Sequence, residues 1–313
     1  MITATTVVAL SFFLAGSADA RSGKIALTFD DLPALTILKD QSYVTWLNQR
    51  LLQGLKRHHL PATGFVNEGK LNDLDHTRQI DVLNMWLDAG MNLGNHSFSH
   101  KSPNILGANA YIRDIKKGEP VTKALLARHH RTLRWFRHPY LETGSPEPVK
   151  RQINGWLATH GYRIAPVTID ANDWEFAEPY DDAIARRDET QRRLIKAEYL
   201  QYTEKMLGWY RQAAHTLFNR DIAYIMLLHA TRLNADSIDD LAAILRRNGL
   251  HGVPLDKAMK DPAYRTPDHY AGPDGIEWLE RWSQTLHKDL PWASFSDPPA
   301  NIQSAYRRVD NDY

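Results

Sequence analysis

Residues 24–31 read Lys24-Ile25-Ala26-Leu27-Thr28-Phe29-Asp30-Asp31, a short apolar run that ends in two adjacent carboxylates. A run of this kind is a strand buried on both faces, as in parallel sheets covered by helices. Residues 43–59 then return Val44, Leu47, Leu51, Leu52 and Leu55 at helical spacing, so the first unit is a strand followed by an amphipathic helix. The alternation continues with a strand at 62–67, a helix at 77–89 stopped by Gly90, and a strand at 91–94. Helices at 108–117 and 120–130 precede a strand at 133–136, and a helix at 147–160 leads to a strand at 162–169. A strand at 222–228 and a helix at 237–248 complete the series. Such β/α alternation predicts a parallel sheet clothed by helices, either open or closed into a barrel.

Two stretches stand outside the repeat. Residues 181–218 are long, charged and helix-forming, which fits an insertion beside the site or a longer outer helix. Beyond residue 261, Pro and Gly punctuate the chain around one amphipathic helix at 276–287, whose Trp278, Leu279, Trp282 and Leu286 are expected to pack onto the body. That extension, 261–313, reads as a structural cap or as a sugar-binding surface. The preceding 21–260 fit one domain, since closed α/β barrels of about 200 to 250 residues form single units.

The balance of 38 Lys and Arg against 37 Asp and Glu leaves no net field to draw the chain to nucleic acid or anionic lipid. Residues 7–16 are uncharged and mostly apolar, and Ser17-Ala18-Asp19-Ala20 supplies a small-residue cleavage pattern before Arg21. No Lys or Arg precedes this run. Residues 1–20 are read as a secretory signal, which predicts a periplasmic or secreted protein. The apolar run falls short of the ~18 residues a membrane helix needs, and no other stretch reaches that length. The chain has no cysteine, which excludes disulfides, thiolate chemistry and lipid attachment through Cys.

Polar chemistry gathers where strands end. Asp30 and Asp31 follow the first strand, where two carboxylates can serve as a metal ligand and a general base, or as turn and cap residues. His96 and His100 follow the strand at 91–94, spaced to grip one cation in a helical or turn geometry. With 14 His in 313 residues, roughly 0.6 such pairs arise by chance, so position at a strand end is what distinguishes this one. Arg137-His138-Pro139-Tyr140 follows the strand at 133–136, where Arg can orient a carboxylate. Asp170-Ala171-Asn172-Asp173-Trp174 and Leu227-Leu228-His229 end two later strands. Five strand ends carry the polar groups and the strand interiors carry almost none.

In this combination the chain resembles the polysaccharide deacetylase family, the NodB-homology domain of chitin, chito-oligosaccharide, peptidoglycan and acetylxylan deacetylases. The motifs TFDD (28–31), HSFSH (96–100), RHPY (137–140), DANDW (170–174) and LLH (227–229) match in order. The resemblance implies a distorted, incomplete (β/α) barrel of the polysaccharide deacetylase type. It also implies a Zn²⁺ site, with Co²⁺ or Ni²⁺ as alternatives, held by Asp31, His96 and His100. By the same resemblance Asp30 is the base, His229 the acid for the leaving amine, and Arg137 the residue that orients Asp30. Asp170 would tune the His229 side or the Arg137 network, and the Tyr140 backbone N–H would stabilise the oxyanion. Trp174 and Leu227 would wall the acetyl pocket. The implied substrate is an N-acetylated glycan of chito-oligosaccharide or peptidoglycan type; the alternatives are O-acetyl ester hydrolysis on a xylan-like polymer and carbohydrate binding without turnover. Leu32 and Leu141 stand where the family usually has Gly, which bears on the mouth of the groove more than on the reaction.

Overall fold

A computed structural model describes residues 23–310; the signal expected over residues 1–20 lies outside them. The first strand, β1 (Gly23–Leu32), has parallel neighbours on both sides, β2 (Ala62–Val66) and β7 (Ala223–His229), so its backbone groups are satisfied within the sheet. Its side chains alternate between two cores. Ile25, Leu27 and Phe29 pack outward against α1 (Gln41–Arg57) and the other helices. Ala26 faces inward with Phe65, Trp135, Ala165 and Ile225. Two residues on, Thr28 continues that inner row, and Asp30 stands at its mouth, in register with His229 of β7.

The remaining units follow the expected alternation: α2 (His76–Asp88), β3 (Asn92–Asn95), α3 (Pro103–Lys117), α4 (Pro120–Arg128), β4 (Trp135–Phe136) and α5 (Glu147–Thr159). Then come β5 (Arg163–Ile164) and β6 (Ile169–Asp170), α6 (Asp173–Ala185), α7 (Glu189–Phe218), and after β7 the helix α8 (Arg232–Arg247) and β8 (Leu250–Gly252). The tail holds α9 (Leu255–Ala258), α10 (Trp278–Leu286) and α11 (Ala300–Val309). The sheet runs β5-β4-β3-β2-β1-β7-β6, with β8 paired to the first half of β1, and every pair is parallel. This is the expected incomplete (β/α) barrel.

The strand expected at 162–169 is two strands at opposite edges of the sheet. The Ala165 amide donates to the Phe136 carbonyl, and the Thr168 amide donates to the Ile225 carbonyl. Pro166 lies between them with no N–H to extend either ladder, so one short segment joins the two edges and curls the sheet. The stretch at 181–218 also divides. Helix α6 begins earlier, at Asp173, and α7 starts afresh where the Asp188 carboxylate accepts from the Gln191 amide. Helices α6 and α7 pack on each other and on α8 and α11 as part of the helical layer.

Candidate active site

Asp31, His96 and His100 come together at the mouth of the barrel, with one potential ligand atom of each within 4.8 Å of the others. Asp31 Oδ1 lies 3.4 Å from His100 Nε2 and 3.7 Å from His96 Nε2, is buried, and has no hydrogen-bond donor. Such an atom calls for a cation. His96 Nδ1 lies 2.8 Å from the Arg137 carbonyl oxygen; the ring N–H donates there, which leaves the Nε2 lone pair facing Asp31. Burial, then the neighbouring His100, hold His96 well below the usual imidazole range, so it is neutral and able to ligate. Burial alone would raise the Asp31 carboxyl, but His100, Lys70 and His96 outweigh it and hold the group far below the usual carboxylate range. One carboxylate oxygen and two imidazole nitrogens are a donor set for a divalent transition metal.

The His96–His100 stretch is a turn, not a helix, with Ser97 at φ 65° and His100 at φ 54°. Asp31, Tyr140, Leu141 and Asn172 are also left-handed. Each such non-glycine residue costs about 1–3 kcal/mol, and they gather here at four strand ends.

Asp30 sits beside this trio. The Arg137 guanidinium, fully buried, donates through Nη1 to Asp30 Oδ2 at 3.2 Å, through Nη2 to Thr28 Oγ1 at 3.1 Å, and through Nε to the Ala165 carbonyl at 2.9 Å. Burial raises the Asp30 carboxyl, Arg137 and His229 pull it back, and the net result is about 6. Opposite, burial would lower His229, but Asp173 holds its Nδ1 at 2.8 Å and, with Asp31 and Asp30, raises the imidazole to about 9. Two proton-carrying groups of separated pKa thus face one pocket, Asp30 suited to accept a proton and His229 to give one.

Residues 17–164 match the sequence model of the polysaccharide deacetylases. That stretch, a little under half of the chain, is a polysaccharide deacetylase domain. Among solved structures it is similar to a polysaccharide deacetylase from Bacillus cereus, at 19% identity over 74% of this chain and 91% of that one, with a TM-score of 0.53. It is also similar to a CE4 family pseudoenzyme from Bacillus anthracis, at 18% identity over 76% of this chain and 66% of that one, with a TM-score of 0.52. A mutant of that pseudoenzyme, described as having restored enzymatic activity, aligns at 19% identity over 76% and 68% of the two chains, also with a TM-score of 0.52. No curated protein matches the sequence.

Tyr140, Trp174 and Leu227 line the pocket where they were expected, whereas the partner of His229 differs. The carboxylate on His229 is Asp173, at the start of α6, and not Asp170. Asp170 accepts from the Asn172 amide at 2.8 Å and feels Arg137 only at longer range; burial and the nearby Glu277 push it up to about 7. Tyr140 is half exposed, and its ring lies 4.5 Å from the His100 ring. Leu227 forms an apolar wall with Leu141 and Val167, so Leu141 adds its side chain to that wall. Trp174 lines the pocket edge-on to Tyr306 of α11, with ring centroids 5.0 Å apart. Gly275, Glu277 and Tyr306 bring the C-terminal extension into the pocket lining. Their only sequence signal was the aromatic richness of the tail, which does not say which surface it covers.

Proposed function

We propose that this chain hydrolyses N-acetyl groups on a glycan of chito-oligosaccharide or peptidoglycan type and releases acetate. Asp31, His96 and His100 would hold a divalent cation, Zn²⁺ by default, with Co²⁺ and Ni²⁺ as substitutes. When bound, the ion would polarise the acyl carbonyl and lower the pKa of a water molecule. Asp30, kept in place by Arg137, takes the proton from the attacking water. The Tyr140–Leu141 turn supports the oxyanion through the Tyr140 N–H, and the wall of Leu227, Leu141 and Val167 receives the acetyl methyl. His229, kept protonated by Asp173, gives a proton to the departing nitrogen.

The observation that carries this reading is the facing pair of Asp30 and His229 beside the Asp31–His96–His100 trio. Family fold alone carries less, because one solved protein of this fold is described as a pseudoenzyme. The pair also favours an amide over an ester: an amine is a poor leaving group without a proton, whereas an alkoxide leaves with less help. Leader-like residues 1–20 support export to the compartment where such glycans lie.

The test is incubation of the Zn²⁺-loaded protein with chito-oligosaccharides, peptidoglycan fragments and acetylxylan, with acetate measured by enzymatic assay and product mass by spectrometry. Acetate from the N-acetylated substrates is expected. Turnover of acetylxylan alone would move the assignment to ester hydrolysis, and binding without any turnover would make the chain a carbohydrate-binding protein.

A further inference from the structure

The C-terminal extension touches the reaction site through backbone contacts on the loop that follows β4. Arg281 of α10 is fully buried, and its donors are shared among backbone and side-chain acceptors on both sides of that contact. Nη2 donates to the Leu141 carbonyl at 2.7 Å, Nη1 to Thr143 Oγ1 at 3.0 Å and Asp268 Oδ2 at 3.3 Å, and Nε to the Ile276 carbonyl at 2.8 Å. Gly275 lies directly against the preceding peptide: a Cβ built there would come 1.5 Å from the Tyr140 carbonyl oxygen. The far end of the segment is tied down by Lys150 of α5, whose ammonium donates to Asp268 Oδ2 at 2.7 Å and to the Asp268 and Tyr270 carbonyls. Tyr140 and Leu141, the two residues so gripped, are consecutive non-glycine residues with φ of 56° and 57°, a conformation that persists only where the surroundings impose it.

We propose that residues 268–281 clamp the Tyr140 loop, with Arg281 and Gly275 as positioning residues for the deacetylation proposed above, on which this assignment rests. Without the clamp the loop relaxes toward ordinary backbone angles, Tyr140 leaves the His100 ring, and Leu141 leaves the apolar wall. The metal-binding trio stands on the ends of β1 and β3, outside the gripped loop. The clamp therefore acts on turnover and not on metal binding. A tail that merely stabilises the body would affect neither kcat nor the loop.

The experiment compares Arg281→Gln and Gly275→Ala with Lys288→Ala, a control in the same extension whose ammonium donates to the Leu217 carbonyl away from the pocket. Metal per chain, Tm, kcat and KM on an N-acetylated chito-oligosaccharide, and amide hydrogen exchange of residues 139–143 are measured on the full chain. Both clamp variants are expected to keep one metal per chain while losing about 10²-fold in kcat, the scale of a misplaced catalytic geometry, with a smaller rise in KM from the loss of Leu141 from the apolar wall. Lys288→Ala is expected to lower Tm and leave kcat unchanged. Equal kcat in parent and clamp variants, or a loss matched by the control at the same Tm, overturns the proposal. If Arg281→Gln does not fold, Gly275→Ala alone carries the test. If the parent protein proves inactive on every acetylated glycan, the functional reading fails, and the clamp is judged by exchange: faster exchange at 139–143 with β1 and β7 unchanged upholds it, and unaltered exchange refutes it.

Discussion

Asp30 and Asp31 are neighbours in sequence and end in opposite electrostatic states, one carboxyl raised to about 6 and the other held far below its usual range. The strand pleat explains the first: Asp30 continues the inner row of Ala26 and Thr28, and burial there raises its carboxyl against the pull of Arg137. The left-handed backbone at Asp31 explains the second, because it turns that side chain toward His96, His100 and Lys70. Their variants should therefore differ. His96→Ala or His100→Ala should lose metal and acetate release together, whereas Asp30→Asn should keep its metal, measured by elemental analysis, and lose about 10²–10⁴-fold in kcat. Loss of metal from Asp30→Asn with retention in Asp31→Asn would exchange the two roles. A second prediction concerns His229. Asp173 raises its pKa, so Asp173→Asn must lower it, and a group that works protonated then fails at lower pH. The alkaline limb of kcat/KM should move down in pH by more than the acid limb, because Asp173 is the main group that raises His229 and only a minor one that raises Asp30, read from rate profiles of the two proteins. Asp173 illustrates where the sequence was silent. The DANDW stretch offers Asp170 and Asp173 equally, and only the left-handed Asn172 and the start of α6 decide which carboxylate reaches His229.

At the scale of elements, the apolar periodicity located the long strands β1 and β7 and helices α1, α2 and α5 to within a few residues, because their burial is repeated along many turns or pleats. It could not divide 162–169, since Ala165, Val167 and Ile169 have the composition of one buried strand and only Pro166 marks the break. Nor could it foresee that α6 begins at the site and then supports the loop after β1 from below. That support is Asp181, which is buried and accepts from the Tyr43 hydroxyl at 2.5 Å and from the Thr36 hydroxyl. The loop they hold places Leu35 in the pocket lining. Asp181→Ala leaves both hydroxyls without their acceptor and should cost about 1–3 kcal/mol in urea unfolding. It should also raise KM, since the altered loop lies at the groove and away from Asp30 and His229. Asp181→Asn keeps an acceptor oxygen and should recover part of both effects; a KM equal to that of the parent in the Ala variant would separate this loop from substrate binding.

On the scale of the whole molecule, one buried histidine gathers the charges of three regions. His138 lies under the site, ring-stacked with Tyr111 of α3, with its Nδ1 3.1 Å from the Tyr111 hydroxyl and its Nε2 buried without a partner. Burial, then Arg281 from the C-terminal extension, Lys150 from α5 and Arg137 from the barrel all oppose its protonation, and its pKa falls to about 3. The unfolded chain binds that proton near the ordinary value of about 6.5. A depressed imidazole contributes stability that is fully present above pH 6.5 and is lost as pH falls toward 3, because the unfolded state then holds one proton more. Carboxyls raised by burial, Asp170 at about 7 and Asp181 at about 6, act in the opposite sense, so the parent protein's own pH profile mixes the two. The difference between parent and His138→Phe removes that mixture, since every other group is common to both. At pH 8 the Phe variant should be less stable by about 1 kcal/mol, for the lost Tyr111 hydrogen bond. Below pH 6.5 the gap should close by as much as about 1.4 kcal/mol per pH unit, the slope of one proton, and reverse by pH 5. Urea midpoints of both proteins from pH 8 to pH 5 measure it. A gap that stayed constant across that range would mean that His138 is charged alike in the folded and unfolded chains, and that the cations of the barrel, α5 and the C-terminal extension do not converge on it.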